Sequence, residues 1–476
     1  MRTSLALLFS IRPLLAYGNL GQTEICGLET PLIPGGSVCA ADQKYLACQN
    51  GKCDESRRHV WTRSSPCLRG RHAEQPICVF TDTTFAEGRG ISLVTTPTRA
   101  DYLASKPSFT DPKTVHSINQ DLNRTIPASY EMRHIPGKGM GLIATSHIHR
   151  GDLIMANTPS LMIDYRAFNE LTKPQYMFLQ AAAVAHLPPA HAAHLLALSA
   201  HVTDTSHLTR EELVDKISAT NGFDIDPDDE DPDQHHSFFV LFPEIARMNH
   251  DCRPNAEYRW EGSAEQRLAQ SVRAARDISP GEEITLSYID PLLSGGRAAR
   301  VARLRRNWGF ECACPLCTLE PAARADESDR RIAQIADIKG ELAVWEVEDS
   351  DNNNNDDDDD DGEEGEFQKG GQEVKGREGK VLGTKGRTGK ACPALAELLI
   401  ALYELERLWG MMHEAYMLAA LEYSGVGDAW TAIKYARLGL EYGIPMLGER
   451  DEDVQDMMEL AEDPWRHWSW KRRVES

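Results

Sequence analysis

The spacing of apolar and polar positions predicts strands on both sides of a helical stretch in the middle of the chain. Short apolar runs at 141–145 and 153–157 flank a glycine-containing turn and predict two strands. Alanine, leucine and histidine recur at helical spacing after residue 165, which predicts a helical insertion over about 166–235. The spacing of apolar and polar positions again predicts strands over 238–290. The pattern therefore predicts a mixed α+β architecture.

The insertion has two polar features that need interpretation. Its end, from Asp224 to Asp233, is acidic and contains two prolines, which predicts a solvated loop. Its histidines have no paired carboxylate or cysteine in the pattern, so they are interpreted as ordinary surface or core residues; they are His186, His191, His194 and His201.

The C-terminal half is predicted to be helical around a low-complexity segment. Residues 297–308 carry arginine on several faces and predict a short basic helix. An Asn/Asp/Glu run and a Gly/Lys-rich stretch form a linker over 346–390. Apolar residues at three- and four-residue spacing predict a helical region over 391–476. One helix pair there is of the tetratricopeptide kind, but a single pair does not establish a repeat.

The N-terminal region consists of a signal-like segment followed by a cysteine-rich region. Residues 1–18 have the early arginine, apolar stretch and small residues of a secretory signal, the alternative being a frayed terminus or a misassigned start. A cysteine-rich region follows over 19–125. Its even number of cysteines predicts a disulfide framework, with metal binding as the competing interpretation. The six are Cys26, Cys39, Cys48, Cys53, Cys67 and Cys78.

Composition and charge narrow the classes of function. The chain has 476 residues, of which 41% are hydrophobic and 26% charged, as expected for a folded protein of several units. No apolar run reaches the ~18 residues that a membrane span needs. The formal charge is -22, and 13 acidic residues with no basic one lie within 346–366. This balance argues against direct nucleic-acid binding and favours a basic protein partner. The acidic run is a solvated tether or, alternatively, recruits such a partner.

Four short motifs carry the candidate chemistry. A glycine-rich turn, Pro136 to Gly141, allows backbone amides to approach a ligand closely. The sequences NHDCRPN at 249–255 and GEEITLSY at 281–288 follow, and CACPLC at 312–317 comes last. CxCxxC offers three thiolates, one short of the tetrahedral set that zinc prefers. The other cysteine of the middle region completes a predicted zinc site of Cys252, Cys312, Cys314 and Cys317.

In this order the four motifs resemble the SET-domain protein lysine methyltransferases, over roughly residues 130–318. The closest resemblance is to the SMYD-related fungal branch, although the zinc-binding MYND finger is absent, since residues 79–251 contain no cysteine. The cysteine-rich extension before SET is similar to that of filamentous-fungal members. The resemblance implies a SET-domain fold over 130–290, with small, mostly antiparallel sheets around a pseudo-knot. It also implies a post-SET zinc cap over 297–320 and terminal helices packed over that cap.

The resemblance also assigns site residues. S-adenosylmethionine is the implied methyl donor. Tyr288 matches the catalytic tyrosine of the family, and Trp308 stands in the lysine channel where SMYD relatives commonly have tyrosine. Phe310 occupies the position of an aromatic residue that packs on adenine. The other implied cofactor contacts are Lys138, Gly139 and Gly141, chiefly through backbone, with Asn249 and His250 at the adenine and amino-acid ends.

Two functions remain open at this point. The resemblance implies a protein-lysine N-methyltransferase that acts on a lysine of a histone or another protein. The alternative is a catalytically inactive SET-fold interaction or scaffold protein, for which the signal-like segment suggests secretion. A four-cysteine zinc site needs reduced thiolates, whereas a disulfide framework needs oxidation. The compartment therefore stays open between cytoplasm or nucleus and the secretory route.

Overall fold

The computed structural model of the chain describes residues 60–70, 73–115, 118–119, 128–202, 204–225, 237–262, 267–290, 292, 295–318, 322–342 and 392–472, with three short strands nearer the N-terminus. The signal-like segment 1–18 and the linker 346–390 lie outside these residues. Among the described helices, none combines the length and apolar character needed to cross a bilayer.

The strands fall into one large sheet and several small ones. In chain order they are β1 (Val38–Cys39), β2 (Cys48–Gln49), β3 (Lys52–Cys53), β4 (Cys67–Leu68), β5 (Ile77–Asp82), β6 (Ile91–Thr95), β7 (Tyr130–Ile135), β8 (Gly139–Ala144), β9 (Leu153–Asn157), β10 (Leu161–Asp164), β11 (Gly222–Ile225), β12 (Phe238–Leu241), β13 (Asn249–His250), β14 (Ala256–Trp260), β15 (Gln270–Ala274) and β16 (Glu283–Leu286).

The helices form an N-terminal group, an insertion and a C-terminal bundle. They are α1 (Phe85–Gly88), α2 (Pro97–Ala104), α3 (Pro107–Thr110), α4 (Tyr165–Glu170), α5 (Lys173–His186), α6 (Pro189–Leu196), α7 (Arg210–Asn221), α8 (Arg297–Trp308), α9 (Ala322–Leu342), α10 (Pro393–Glu406), α11 (Met412–Gly425), α12 (Ala429–Leu447) and α13 (Glu452–Glu462).

The large sheet joins the cysteine-rich region to the middle of the chain. Its order is β1-β4-β5-β6-β10-β12-β11, and only β6 and β10 run parallel among its described pairs. Every residue of β5, β6, β10 and β12 is buried, so these strands are apolar runs without alternation. One face packs on the insertion helices, and the other packs on the core of the small sheets. The region 19–125 is therefore continuous with the central fold through its second half.

One disulfide bond lies in this sheet. Cys67 and Cys78 are direct cross-strand partners on β4 and β5, and their sulfur atoms are bonded. A bridge of the predicted kind is thus present, and metal binding by these two cysteines is excluded. The side chains of the other four N-terminal cysteines lie outside the described residues.

The insertion is helical as predicted, with two corrections. The expectation of a solvated loop from Asp224 is wrong at its start, because Asp224 lies in β11 and pairs with β12. The flanking Phe223 and Ile225 alternate into the core, which outweighs the acidic composition. The histidines are surface or core residues as interpreted, but the premise that none has a carboxylate partner does not hold for His194, whose Nδ1 lies 3.2 Å from Glu244 Oε1.

Two small sheets carry the predicted middle strands. One has the order β13-β16-β8-β7, and the other has β14-β15-β9. The strands β8 and β9 cover the runs predicted at 141–145 and 153–157. Apart from the parallel pair β13 and β16, their described pairs are antiparallel. Small, mostly antiparallel sheets are therefore present, as expected.

The C-terminal helices form a separate hydrophobic core. The basic helix α8 has the predicted bounds, and α10 to α13 occupy the predicted helical region. Helix α9, which the pattern did not predict, packs Ile332, Ile335 and Ile338 into the same core. This core therefore includes helices from both sides of the linker.

Candidate functional site

The site forms where NHDCRPN and GEEITLSY lie side by side. Strand β13 pairs in parallel with β16, so that Asn249 lies opposite Thr285 and His250 opposite Leu286. The Asn255 side chain joins the two segments: its Nδ2 donates to Glu283 O at 2.8 Å, and its Oδ1 accepts from Thr285 N at 2.9 Å. Asn255 is 1% exposed, so these hydrogen bonds are shielded from water. The two motifs are thereby held in a fixed register.

The glycine-rich turn reaches this junction. Gly137 and Gly139 both have φ of 77°, a conformation that glycine adopts without steric cost. A Cβ at Gly141 would lie 2.7 Å from Asn249 Nδ2, so glycine leaves room there for the Asn249 side chain. Asn249 Nδ2 also donates to Met140 O at 3.2 Å. The turn and the NHDCRPN segment are thus in direct contact.

Glu283 ties the same residues together, a role that sequence reasoning missed. Its carboxylate accepts from Lys138 Nζ at 2.6 Å and from Asn249 Nδ2 at 2.9 Å. The Lys138 ammonium is therefore directed at a carboxylate of the protein, which leaves backbone contact as the way in which this residue meets a ligand. The available signal was the alternation after Gly281, which puts Glu283 and the buried Ile284 on opposite faces of β16.

His250 connects the cysteine cluster to the segment that carries Tyr288. Its Nδ1 accepts from Tyr288 N at 3.0 Å, which assigns the ring proton to Nε2. Nε2 lies 3.3 Å from Cys252 Sγ and donates to it. Burial lowers the pKa of His250 to about 4, so the ring is neutral near pH 7. Both ring nitrogens are thus engaged within the protein.

Tyr288 lies among aromatic rings with its hydroxyl engaged. Its hydroxyl donates to Met248 O at 2.7 Å. Its ring centroid lies 5.4 Å from that of Trp308 and 6.3 Å from that of Phe310. Burial, with a smaller contribution from Glu283, raises the pKa of Tyr288 well above its ordinary value. The phenol is therefore a hydrogen-bond donor at neutral pH and not a base.

The rings of Trp308 and Phe310 are set by the end of α8. Gly309 ends this helix in the left-handed region, with φ of 72°, and so separates the two aromatic residues. A Cβ at Gly309 would collide with the His201 ring. Trp308 Nε1 donates to Thr220 O at 3.0 Å, which fixes the indole against helix α7 of the insertion. The insertion therefore helps to shape the aromatic wall beside Tyr288.

The four predicted metal ligands converge. Cys252, Cys312, Cys314 and Cys317 are all buried, and their sulfur atoms lie within 4.8 Å of one another. Cys252 Sγ is 3.9 Å from Cys312 Sγ and 3.6 Å from Cys317 Sγ. Tetrahedral zinc with Zn–S bonds of about 2.3 Å separates its sulfur ligands by about 3.8 Å. The spacing and the all-sulfur donor set therefore fit zinc, whereas Cys392, which precedes α10, lies outside the cluster.

A buried carboxylate links the NHDCRPN segment to the C-terminal helices. Glu406 of α10 is 0% exposed and accepts hydrogen bonds from Arg253, from Ser328 Oγ at 2.7 Å and from Arg331 Nε at 2.5 Å. Although burial opposes ionisation, hydrogen bonds from Ser328 and Arg253 hold the pKa of Glu406 below its ordinary value. No local pattern indicates this contact, because Arg253 and Glu406 are 153 residues apart.

The comparisons with known proteins concern the same stretch of chain. The family model described as "SET domain" matches residues 139–289. The chain is 31% identical over 207 residues to "Histone-lysine N-methyltransferase set5" of Schizosaccharomyces pombe, which covers 44% of this chain and 56% of the relative. It is 38% identical over 113 residues to "N-lysine methyltransferase SMYD2" of Homo sapiens, covering 24% of each.

These matches are partial. The chain spans about a quarter to about half of the length of these curated relatives. Among solved structures, the SET domain of LSMT bound to lysine and AdoHcy is 12% identical, with coverage of 74% of this chain and 90% of that one and a TM-score of 0.26. The matched residues 139–289 include the end of the glycine turn, the NHDCRPN segment and the GEEITLSY segment with Tyr288. Cys312 to Cys317 lie beyond the matched residues.

Proposed function

We propose that this chain, whose residues 139–289 form a SET domain, is a protein-lysine N-methyltransferase that uses S-adenosylmethionine. The observation that carries the proposal is the convergence of three remote segments. The glycine turn contacts Asn249, His250 accepts from the backbone of Tyr288, and the phenol lies beside Trp308 and Phe310. The proposed donor contacts and the proposed site for the acceptor lysine would therefore be neighbours.

The donor would be held by residues of the turn and of the NHDCRPN segment. S-adenosylmethionine would supply a methyl group that is bonded to a sulfonium sulfur. The amine nitrogen attacks the methyl carbon in line with the carbon–sulfur bond, which breaks. Backbone groups of the glycine turn can approach such a ligand closely, because Gly137 and Gly139 expose their amides without side chains. We assign the contacts to Lys138, Gly139, Gly141, Asn249, His250 and Phe310.

The acceptor lysine would enter beside Tyr288 and Trp308. A lysine amine has an ordinary pKa of about 10.4, so it must lose a proton before it attacks. Aromatic surroundings disfavour the charged ammonium by desolvation and thus favour the neutral nucleophile. Tyr288, which stays protonated, orients the amine from a fixed position rather than removing its proton. The contribution of the protein is mainly alignment of the nitrogen with the methyl carbon.

The zinc site would hold this cleft in shape. Cys252, Cys312, Cys314 and Cys317 would bind a structural Zn²⁺, whose chemistry is to cross-link the ligands without taking part in the transfer. The hydrogen bond from His250 to Cys252 joins this cross-link to Tyr288. Such outer contacts orient metal ligands and in turn are oriented by them.

The substrate class follows from charge and from the relatives. The chain has a net charge of -22, which attracts basic proteins. We propose a protein substrate that presents a lysine on a basic segment, with histones as the first candidates. We expect no direct nucleic-acid binding, since the same charge repels phosphate.

The direct test is methyl transfer in vitro. The purified chain should label histones or a lysine peptide array from radiolabelled S-adenosylmethionine. Tyr288→Phe should reduce the rate by ~100-fold or more, since it removes a positioned group from the reacting centre. Tyr102→Phe, at an exposed tyrosine of α2, should have no effect. If no substrate in a broad panel is labelled, the alternative of an inactive SET-fold scaffold is favoured.

A further inference from the structure

A second group of metal-ligand side chains lies on the surface, away from the four cysteines. His147, His149 and Asp277 each offer one ligand atom, and these atoms lie within 4.8 Å of one another. His147 Nε2 is 3.7 Å from Asp277 Oδ2, and His149 Nδ1 is 4.0 Å from Asp277 Oδ1. The two imidazole centroids are 4.4 Å apart. Two imidazoles and one carboxylate therefore face a common point.

The backbone beneath the group is rigid. Ile148, between the two histidines, forms a β-bridge with Ile278, which follows Asp277. Both backbone hydrogen bonds of the bridge are present, at 3.0 and 2.8 Å, and both isoleucines are buried. Since neighbouring positions of extended chain point to the opposite face, the flanking histidines project outward together. The ligand positions are thus fixed by the core and not by a free loop.

A backbone amide orients the Asp277 carboxylate, and no guanidinium group of the described residues pairs with it. Asp277 Oδ1 accepts from Arg150 N at 2.9 Å. The guanidinium of Arg150 lies instead against Glu441 and over the Tyr442 ring, and that of Arg276 pairs with Glu282. A hydrogen-bonded anionic carboxylate beside two imidazoles is a typical metal-ligand arrangement.

The donor spacing fits a small divalent transition metal. With metal–nitrogen and metal–oxygen bonds of about 2.0–2.2 Å, tetrahedral ligand atoms lie about 3.4 Å apart. The observed separations of 3.7 and 4.0 Å are a few tenths of an ångström larger. All three side chains are 44–71% exposed, so small rotations can close this difference. Two nitrogens and one oxygen also match the preferences of Zn²⁺, Ni²⁺ and Cu²⁺.

The third described cluster of this type does not meet the same criteria. His191, His194 and Glu244 also lie within 4.8 Å of one another. However, the Arg89 guanidinium forms two hydrogen bonds with the Glu244 carboxylate, at 2.9 and 2.6 Å. His191 Nε2 is within 2.5 Å of Ser160 Oγ. A cation already occupies the place of a metal there, so this cluster is a buried polar network.

We propose that His147, His149 and Asp277 form a surface site for one divalent transition-metal ion, Zn²⁺. Water would complete the coordination of the ion. This site is separate from the four-cysteine cluster and independent of methyl transfer. A bound ion would cross-link the two sides of the Ile148–Ile278 bridge. It would do so next to Arg150, through which this edge of the SET domain contacts α12.

Calorimetry with Zn²⁺ tests the proposal on the full chain without a histidine tag. The protein is first loaded with zinc at the cysteines and dialysed against a weak chelator, and its metal content is measured. Titration should then reveal one further Zn²⁺ per chain. His147→Ala, His149→Ala and Asp277→Asn should each weaken this binding at least ~tenfold, since each removes a ligand. His207→Ala, at an exposed histidine outside the cluster, should leave it unchanged.

A second readout identifies the donor atoms. One equivalent of Cu²⁺ should give an electron paramagnetic resonance spectrum with hyperfine splitting from two imidazole nitrogens, and His149→Ala should reduce this to one. The variants lie on the surface, and an unchanged circular dichroism spectrum checks that they fold. The proposal is overturned if no second Zn²⁺ binds, or if binding is as tight in the His147→Ala/His149→Ala double variant.

Discussion

At the residue scale, side chains of the NHDCRPN segment take the place of backbone hydrogen-bond partners for the GEEITLSY segment. Asn255 satisfies a carbonyl of Glu283 and an amide of Thr285, and His250 satisfies the amide of Tyr288. Buried backbone groups that lose such partners destabilise a fold more than the average hydrogen bond stabilises it. These two residues therefore act on the site by holding strands in register.

Asn255→Ala is expected to destabilise the protein. It leaves one buried N–H and one buried C=O without these partners, at about 1–3 kcal/mol each. The free energy of unfolding should therefore fall by about 2–6 kcal/mol, measured by urea denaturation. Asn169→Ala, at an exposed asparagine of α4, should change it by less than about 0.5 kcal/mol. Equal stabilities of the two variants would show that Asn255 does not link the motifs.

The residues that the sequence identified and those that it missed differ in a physical way. Tyr288, His250 and the four cysteines carry recognisable chemistry within short motifs, and the structure brings them together. Glu283 and Glu406 matter only through partners that are remote in the chain. Acidic residues are common in turns and on helix surfaces, so nothing local distinguishes Glu406 from a solvated residue, and the alternation around Glu283 does not identify its partners.

At the element scale, burial on both faces explains the strands that the pattern did not predict. The strands β5 and β6 are buried on both faces, so the alternation of buried and exposed positions that marks a surface strand is absent. Helix α9 was missed for the opposite reason: most of its residues are polar, and its few isoleucines pack on helices that follow the linker. The elements with one buried face, such as β8, β9 and α8, were predicted at nearly their observed bounds.

The contact of α10 with Arg253 predicts a dependence of stability on pH. The pKa of Glu406 is lowered in the folded state, so its stabilisation is complete above its ordinary value of 4.5 and is lost as the pH falls through the folded pKa. Glu406→Gln should therefore be less stable than the wild type at pH 7, with a difference that shrinks below pH 4.5. Denaturation curves at several pH values measure this. A difference that is constant with pH would contradict an ionised Glu406.

The four-cysteine cluster predicts that a variant that loses zinc also loses methyl transfer. Cys314→Ser should lower the zinc content of the purified chain and abolish methyl transfer, because the cross-link through Cys252 and His250 supports Tyr288. Metal analysis beside the transfer assay measures both. Cys392→Ser, outside the cluster, should retain both. Full transfer by a zinc-free Cys314→Ser protein would separate the cluster from the site.

At the scale of the whole molecule, two cysteine chemistries coexist. Cys67 and Cys78 are bridged in the large sheet, while the four clustered cysteines form no disulfide and are buried beside Tyr288. The C-terminal helices contact this region through Glu406 and also contact Arg150. The resemblance implied packing of these helices but not these contacts, which cross the linker and join residues 153 and 291 positions apart.

Binding of S-adenosylmethionine is the measurement that tests the central claim most directly. Calorimetry should show one molecule bound per chain in the wild type and in Tyr288→Phe, which alters the acceptor side only. Gly141→Ala should weaken binding strongly, because its Cβ would lie 2.3 Å from Ile135 Cδ1 and 2.7 Å from Asn249 Nδ2. Gly340→Ala, where nothing lies within 4 Å, is the matched control and should bind normally. Absence of binding by the zinc-loaded wild type would contradict the account.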